Sequence, residues 1–480
     1  MMYQVPEHID KNKIFIVKRS EIEERLEPEF YKPSIAEIEQ NIREKSTKKL
    51  RDFALYIAGG ATPKKTEEDK YYSDKQNGIP FLRVQNLCPD GTLLLDDCVY
   101  ITKETHEGML KRSQVEEGDL LVKITGVGRM AIASVAPDGF VGNTNQHMVV
   151  IKTGSSATSK YLARYLNLDI IEKIASRHST GGTRPALDYP SVKALPIIEG
   201  LDFSLIDSAI SEKRYKEAEA QRLLDSIDSY LLNELGITLP EIKTDLKSRM
   251  FLVNRSKLER RFDPYYSQKH FVDAFSSLYL GKYPVFSLKS LSMLITSGIT
   301  PKSGGDAYTG NKELGIPFVR SGNIDINGDL NFNELLYIKP EIHNTIMKSS
   351  QVKPNDLMIA IVGATIGQVG IYLDKREANI NQAIALIRLK DGNDTHYIKE
   401  VIKSSIGQLS LNRLKRPVAR ANINLEEIST ILVPLPPLVK QQEIANHIYT
   451  IRQRAKTLQD EGKAILENAK KEVEQMIKGK

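Results

Sequence analysis

The sequence has little of what marks secreted, membrane-bound or metal-dependent proteins. Its two cysteines, Cys88 and Cys98, stand outside any CxxC or Cys/His pattern, which argues against a disulfide framework or a zinc site and suits a reducing compartment. No run of about 18 apolar residues occurs, so no membrane-spanning helix is expected. The first residues lack the apolar stretch of a secretory signal. We therefore expect a cytoplasmic protein with no membrane contact.

Recognisable catalytic motifs are also scarce. A phosphate-binding G-x-x-x-x-G-K-[ST] loop, a serine nucleophile elbow and an H-E-x-x-H helix are all missing. A G-x-G-x-x-A match at Gly126 lacks the acidic residue that a dinucleotide fold places about 20 positions further on. The methyltransferase-like DPYY at 263–266 has no counterpart in EPEF at 27–30. We predict no catalytic residue and no metal site, and we interpret His106 and His343 as packed side chains.

What the sequence does contain is a long internal repeat. GIPFLRVQNL at 78–87 returns as GIPFVRSGNI at 315–324. The other matched segments are 15–28 with 251–264, 57–65 with 295–303, 100–122 with 337–359, and 142–152 with 378–388. The offset stays between 236 and 238 residues throughout. This pattern indicates a tandem duplication of a unit of roughly 200 residues, a period too long for a solenoid.

Each copy is followed by a long, charge-rich segment without proline, at 201–235 and 438–478. Apolar residues recur in both segments at alternating spacings of three and four, which is typical of a coiled-coil seam. The predicted seam residues are Ile206, Ile210, Leu224, Ile227, Leu231, Ile444, Ile448, Ile451, Leu458 and Ile465. We expect the two helices to pack against each other in antiparallel orientation.

The repeat and its helices define the predicted fold class. It is α/β (α+β), with two tandem pseudo-symmetric α/β domains separated by two long antiparallel coiled-coil helices. The predicted boundaries are 1–200 for the first domain, 201–240 for the central spacer helix, 241–435 for the second domain and 436–480 for the C-terminal spacer helix.

Charge and side-chain chemistry point to DNA as a partner. The net charge is +6, which permits a nucleic-acid partner without requiring one. Arginine can read guanine with two hydrogen bonds, asparagine suits adenine, and lysine holds phosphates. The predicted DNA-binding residues are Arg83, Lys123, Arg129, Asn145, Arg177, Arg184, Arg320, Asn381, Arg413, Lys415, Arg416 and Arg420. For each of these residues, the alternative interpretation is a place in a solvated loop or in a buried amide network.

The chain resembles the specificity subunit of type I restriction-modification systems. The resemblance rests on the duplicated G-I-P-F-x-R segment, the paired N-x-N-Q strands at 143–146 and 379–382, and VPLPPLVKQQEIANHI at 433–448, which leads into a long helix. The first copy enters its helix through LPIIEGLDFSLIDSAI at 195–210, without the Pro-Pro and Gln-Gln. That departure leaves the start of the first helix open.

The resemblance implies two target-recognition domains, each reading one half of a bipartite site in double-stranded DNA. The coiled coil would set the spacer and dock two DNA methyltransferase (M) subunits, and restriction (R) motor-nuclease subunits would complete the complex. The chain would be non-catalytic and bind no cofactor itself. S-adenosylmethionine would belong to the methyltransferase, and ATP and Mg would belong to the restriction subunit.

Three alternatives stay open at the level of sequence. A related type II system that cuts on both sides of its bipartite site would use the same architecture. A scaffold that binds proteins through its coiled coil would never touch DNA, and charge reversal at 413–420 would leave its function intact. An enzyme with an unrecognised site would show turnover without partners.

Overall fold

The computed structural model describes residues 6, 9–22, 25–241, 250–254, 261, 263–302, 305–325, 327–416 and 421–479. The chain folds as two compact units. Unit 1 comprises Met1–Glu217 with Gln459–Lys480, and unit 2 comprises Ala218–Leu458. No helix in the described part of the chain is long and apolar enough to cross a membrane.

Unit 1 is built from two sheets and a set of helices. The strands are β1 (Tyr56–Gly59), β2 (Tyr72–Ser73), β3 (Ile79–Leu82), β4 (Val99–Ile101), β5 (Gln114–Glu116), β6 (Leu120–Lys123), β7 (Ala133–Val135), β8 (Val141–Thr144) and β9 (Met148–Lys152). The helices are α1 (Pro33–Lys45), α2 (Glu68–Tyr71), α3 (Lys103–Glu107), α4 (Ser156–Leu166), α5 (Asp169–His178), α6 (Tyr189–Ala194) and the first part of the long α7 (Ser204–Leu235), whose remainder belongs to unit 2. The sheet orders are β1-β9-β6-β7 and β2-β4-β3-β8-β5.

Unit 2 repeats this arrangement. Its strands are β10 (Val285–Ser287), β11 (Ser292–Ser297), β12 (Ile316–Val319), β13 (Leu336–Ile338), β14 (Gln351–Val352), β15 (Leu357–Ala360), β16 (Val369–Ile371), β17 (Ala378–Ile380), β18 (Ile384–Leu389) and β19 (Leu432–Pro434). Its helices are α8 (Lys269–Tyr279), α9 (Leu288–Leu291), α10 (Pro340–Asn344), α11 (Thr395–Lys403), α12 (Ser405–Leu414), α13 (Leu425–Ser429) and the first part of the long α14 (Leu438–Lys478), whose remainder belongs to unit 1.

The strand orders of unit 2 match those of unit 1. The orders β11-β18-β15-β16 and β13-β12-β17-β14 correspond strand for strand to β1-β9-β6-β7 and β4-β3-β8-β5, and β10 pairs with β19. In both units one parallel pair, β3 with β8 or β12 with β17, stands among antiparallel neighbours. The sequence duplication is therefore a duplication of topology.

The central sheet of each unit is buried on both faces. In β6, Leu120 and Val122 belong to the cluster that contains the helices, whereas Leu121 belongs to a second cluster with Leu82 and Val115 of the other sheet. Successive side chains of a strand point to opposite faces, so one apolar run supplies both clusters. The strand β15 divides its residues in the same way.

The two long helices supply residues to both units and run antiparallel. In unit 1, Lys216 of α7 pairs with Glu461 of α14 at 2.9 Å. In unit 2, Glu234 of α7 pairs with Lys440 of α14 at 2.8 Å. The early part of α7 thus meets the late part of α14, and the late part of α7 meets the early part of α14. The predicted fold class is confirmed.

The predicted seam residues are buried or half-buried. The buried ones are Ile206, Ile210, Ile227, Leu231, Ile444, Ile448 and Leu458, and the half-buried ones are Leu224, Ile451 and Ile465. Most of them also belong to the hydrophobic core of a unit. These side chains pack in the same clusters as residues of the shorter helices that cover the sheet. Burial of these residues thus stabilises both the helix pair and the units.

Carboxylates on the long helices cap shorter helices. In unit 1, Glu474 Oε1 accepts hydrogen bonds from the backbone N–H groups of Asp169 and Ile170 at the start of α5. In unit 2, Asp228 Oδ1 accepts from the N–H of Ser405 at the start of α12, at 2.7 Å. A negative charge at a helix N-terminus satisfies free donors and complements the helix dipole.

The repeated G-I-P-F-x-R-x-x-N segment forms the same tight structure in each unit. A Cβ at Gly78 would lie 2.7 Å from the carbonyl oxygen of Asp74, and one at Gly315 would lie 2.7 Å from that of Asn311. Asn86 Oδ1 accepts from the N–H of Arg83 at 2.8 Å. The side chain of Asn323 caps the equivalent turn at 2.9 Å. Glycine and asparagine recur here because the turn leaves no space for Cβ and needs a side-chain cap.

The first asparagine of each N-x-N-Q strand is also structural. Asn143 Oδ1 lies 2.5 Å from His106 Nδ1, and Asn143 Nδ2 donates to the carbonyl of Leu110 at 2.9 Å. In unit 2, Asn379 makes the same contact with His343 at 2.5 Å and donates to a backbone carbonyl. These contacts confirm the interpretation of both histidines as packed side chains.

Candidate nucleic-acid interface

Four loops of unit 1 meet at one end of its central sheet, three of them through strand pairing and the fourth through a hydrogen bond. Gly59 at the end of β1 lies opposite Val149 near the start of β9, and Lys123 at the end of β6 lies opposite Met148. The loops that leave or enter these strand ends are 60–65, 125–128 and 145–147. The loop 180–186 joins them through a hydrogen bond from the N–H of Gly126 to the carbonyl of Pro185, at 3.0 Å. We call these four loops the unit 1 loop cluster.

The same four loops meet in unit 2. Ser297 lies opposite Ala385, and Ala360 lies opposite Ile384. The N–H of Gly363 donates to the carbonyl of Ala421 at 3.1 Å. The loops 298–302, 362–365, 381–383 and 421–423 are called the unit 2 loop cluster. Each unit therefore places a set of loops with polar side chains on equivalent ends of its central sheet.

A close backbone approach fixes two of these loops in each unit. A Cβ at Gly60 would lie 1.7 Å from the carbonyl oxygen of Thr144, and one at Gly298 would lie 1.7 Å from that of Ile380. Only glycine fits at such a distance. The glycine of the GGATPK and SGITPK segments is thus needed to seat one loop on its neighbour.

The predicted arginines that immediately follow β3 and β12 lie beside the clusters. Asn145 and Asn381 donate their N–H groups to Leu82 and Val319, the residues that immediately precede Arg83 and Arg320. The Arg320 side chain is exposed. The Arg83 side chain is half-buried, and its guanidinium donates to the carbonyl of Asp97 at 3.2 Å.

Asn145 and Asn381 use their side chains to fold the loops that they occupy. Asn145 Oδ1 accepts from the N–H of His147 at 3.1 Å, and Asn381 Oδ1 accepts from that of Ala383 at 3.2 Å. Asn145 is buried. The amide groups that face outward are those of the next residues, Gln146 and Gln382, which are exposed.

Arg184 is exposed at the tip of the 180–186 loop. It lies close enough to His147 to act on the imidazole electrostatically. Partial burial of His147 and the positive charge of Arg184 both lower the pKa of that ring. Both effects favour the neutral form of the ring, and the cluster presents a cation, an amide and an imidazole together.

Arg177 and Arg413 hold the segments that precede the first helices of the two units. Arg177 Nε donates to the carbonyl of Phe30 at 2.5 Å, and its guanidinium lies 4.4 Å from the centre of the Phe30 ring. Arg413 does the same at Tyr266, at 3.0 Å and 3.9 Å. A second arginine, Arg25 in unit 1, covers the same ring. Contact of Arg177 or Arg413 with DNA stays a prediction, but each side chain already has a structural role.

Lys123 and Arg129 are also engaged inside unit 1. Lys123 is 3% exposed and donates to the carbonyl of Val127 at 2.8 Å. Arg129 donates to Asp169 Oδ1 at 2.5 Å and to the carbonyl of Asn167 at 2.6 Å. Both side chains shape the 125–128 loop, and their contact with DNA stays a prediction.

The last basic residues lie near the unit 2 loop cluster. Lys415 is half-buried, and burial lowers the pKa of its ammonium. Arg416 is exposed and pairs with Glu427 at 3.1 Å. Arg420 lies outside the described residues.

Sequence reasoning overlooked a repeated lysine. Thr62-Pro63-Lys64 and Thr300-Pro301-Lys302 occupy the same place in the two clusters, and both lysines are exposed. In each copy a tyrosine hydroxyl donates to the carbonyl of the proline, at 2.8 Å and 3.1 Å. The signal was present as the T-P-K that recurs in the matched segments 57–65 and 295–303.

The clusters offer recognition chemistry. Exposed lysines and arginines can neutralise phosphates, and exposed glutamines can form hydrogen bonds with phosphates or with base edges. In the described part of the chain, no group of three or more His, Cys, Asp or Glu side chains is placed to hold a metal ion.

The chain is similar to several known proteins. A solved type I restriction-modification S subunit from M. genitalium is similar over 89% of this chain and 95% of that chain, with 12% identity and a TM-score of 0.38. The EcoBI specificity subunit of Escherichia coli is 32% identical over 28% of this chain and 28% of that subunit. The EcoKI specificity subunit of Escherichia coli K12 is 24% identical over 36% of this chain and 37% of that subunit.

Residues 264–468 match the sequence profile of the type I restriction modification DNA specificity domain. This region therefore carries a type I restriction modification DNA specificity domain. The matched region covers most of unit 2 and most of α14. Unit 1 lies largely outside that region, but its strand orders, its buried Asn–His pair and its Arg–aromatic contact are those of unit 2. The alignments to the curated relatives named above span only 28% to 37% of their own lengths.

Proposed function

We propose that this chain is the DNA-specificity subunit of a type I restriction-modification enzyme, and that each loop cluster reads one half of a bipartite target. One observation carries the proposal. The same sheet framework holds two clusters of exposed Lys, Arg and Gln side chains, and the loops of the clusters differ in sequence. A shared framework with divergent loops is what two related but different half-sites require.

The second part of the proposal concerns the two long helices, which would set the distance between the half-sites and bind partner subunits. Half-sites one helical turn apart are separated by about 34–36 Å. A helix of 32 residues, the length of α7, extends roughly 48 Å at 1.5 Å per residue, so it could set a spacing of this order. We propose that exposed faces of α7 and α14 dock two methyltransferase subunits. S-adenosylmethionine would be bound by those subunits, and restriction subunits would add the ATP-dependent motor and nuclease.

The proposed function is tested by mapping methylated adenines in the source genome by single-molecule sequencing, with the gene intact and with the gene deleted. Loss of one bipartite methyladenine motif is expected, and the motif would give both half-sites at once. An unchanged pattern, in cells that express both this gene and its methyltransferase, would contradict the proposal and favour a protein-binding scaffold.

An Arg320→Ala variant then tests the unit 2 loop cluster. If Arg320 contacts a phosphate, affinity falls for every sequence and the salt dependence of binding becomes less steep. If it reads a base, discrimination falls at one position of one half-site, by about 1–3 kcal/mol. Unchanged affinity and unchanged motif would remove Arg320 from the interface.

A further inference from the structure

The 125–128 turn is built differently in the two loop clusters. Between paired positions Val122 and Ala133, unit 1 has one residue more than unit 2 has between Ile359 and Val369. The additional residue lies after the tip of the turn, because Lys123 and the tip residue Val127 align with Ala360 and Ala364 at the same offset. Val127 is 78% exposed. Its counterpart in unit 2 is Ala364.

This turn holds an apolar tip by two means. The flanking residues Gly126 and Gly128 have φ of +122° and +80°, values that favour glycine. Lys123 lies beneath the turn, 3% exposed, and donates from Nζ to the carbonyl of Val127 at 2.8 Å. Burial lowers the pKa of that ammonium, which shows that the position is unfavourable for the charge.

A buried lysine is an unusual way to hold a surface turn, because burying an ammonium opposes folding. Unit 2 holds its turn without one, since Ala360 occupies the equivalent position and a short 3₁₀ turn over Gly363–Thr365 follows. The lysine is therefore a feature of unit 1 alone. Its hydrogen bond fixes the backbone of the exposed residue itself.

The surroundings of Val127 are polar and cationic. The N–H of the preceding Gly126 donates to the 180–186 loop, whose tip carries the exposed Arg184. The N–H of Thr125 donates to the carbonyl of His147 at 3.3 Å, and Gln146 is exposed beside it. Val127 is thus an isolated apolar side chain among groups that suit DNA. The strongly apolar group that a base edge offers to such a side chain is the methyl group of thymine.

We propose that Val127 is a specificity-determining residue that contacts the 5-methyl group of a thymine in the half-site read by unit 1, and that Lys123 is its positioning residue. The proposal rests on the proposed function. The thymine methyl projects into the major groove, and apolar side chains distinguish it from the unmethylated edge of cytosine. Burial of one methyl-sized group corresponds to a change in affinity of roughly fourfold.

The test uses the chain in complex with its methyltransferase subunit and a duplex that carries the motif found by genome mapping. Each thymine is replaced in turn by deoxyuridine, which removes only the methyl group. With the wild-type complex, one replacement in one half-site is expected to weaken binding about fourfold. Val127→Ala is expected to abolish the sensitivity at that thymine and leave the other half-site unchanged.

Two further variants separate contact from general folding effects. Val141→Ala changes a 48% exposed valine at the far end of β8, and it should retain the full sensitivity. Lys123→Met keeps an apolar stem and removes the hydrogen bond, so it should reduce the sensitivity at that same thymine more than it reduces overall affinity.

A wild-type complex that tolerates every deoxyuridine, or a Val127→Ala complex that keeps the sensitivity, would overturn the inference while leaving the specificity role intact. A genome in which no motif depends on the gene would instead refute the proposed function, and the inference would fail with it.

Discussion

Replacing Glu39 by glutamine should destabilise unit 1 in a strongly pH-dependent way. Glu39 is 3% exposed and accepts hydrogen bonds from Arg43 and Arg177, each at 2.6 Å, with His178 Nε2 at 3.0 Å. Burial by itself raises the pKa of the carboxyl, but His178, Arg43 and Arg177 outweigh it and lower the pKa from 4.5 to about 2. At 1.36 kcal/mol per unit, this shift corresponds to ~3 kcal/mol of folding free energy.

The direction of the pH dependence follows from the lowered pKa. A carboxyl whose folded-state pKa lies below its unfolded-state value contributes stability that is fully present above the unfolded pKa. That contribution is lost as the pH falls through the folded value, between about pH 5 and pH 2. The wild-type chain should lose ~3 kcal/mol in this window, whereas Glu39→Gln should lack this contribution at every pH.

Calorimetry suits the measurement, because the chain contains no tryptophan for fluorescence. For a unit of this size, ~3 kcal/mol lowers the midpoint of the unit 1 transition by roughly 6–12 °C at pH 7. Glu37→Gln, on the exposed side of the same helix, is the matched control and should shift the midpoint by little. A Glu39→Gln midpoint equal to that of the control at pH 7 would refute the reasoning.

Three other predictions concern the second unit and the clusters. Asn379→Leu leaves the His343 Nδ1 contact unmade and a buried carbonyl unpaired, so the unit 2 transition in calorimetry should lose about 1–3 kcal/mol. Ile448→Ala, at a fully buried seam position, should cost about 2–5 kcal/mol in the same assay, whereas Tyr449→Ala, 62% exposed, should cost little. Replacing Lys64 and Lys302 together by alanine should weaken DNA binding uniformly, reduce the salt slope by about 2 and leave the methylated motif unchanged; a changed motif would show base contact instead.

The fold was predictable from sequence because the chain contains two copies of the unit, and a pattern that occurs in both copies is a more reliable indication of structure than a single occurrence. Patterns that occurred in both copies, such as the apolar runs around Leu120 and Leu357, became equivalent buried strands. The seam residues followed from helical spacing alone. The helix caps that Glu474 and Asp228 provide were not predictable, because they join residues distant in sequence through the tertiary structure.

The candidate site was less predictable. The local sequence around an arginine in a loop does not show whether its side chain faces solvent or packs on a neighbouring aromatic ring. Arg177 and Arg413 were selected for their charge, and the structure shows them bound to Phe30 and Tyr266. Arg184 was selected for the same reason and is exposed. Only the tertiary partners separate these cases.

Comparison of the copies, joined with exposure, sorts the remaining side chains by role. Residues that are shared and buried, such as Asn143 and Asn379, have internal partners and belong to the scaffold. Residues that are shared and exposed, such as Gln146 and Gln382, form a second class. Gln146 Oε1 accepts a hydrogen bond from Thr62 Oγ1 inside its cluster, and its exposed amide remains accessible to a partner. Such residues suit a feature common to every DNA sequence, the sugar-phosphate backbone.

Residues that differ between the copies and are exposed form the remaining class. Val127 and Ala364 occupy equivalent tips, and the two turns are held by different devices. A phosphate contact would favour the same residue in both copies, because the backbone is the same at each half-site. Divergence at an exposed tip is instead what base readout requires, since the two halves of a bipartite target differ in sequence. Motif changes should therefore follow substitutions in this class, and uniform losses of affinity should follow substitutions in the shared, exposed class.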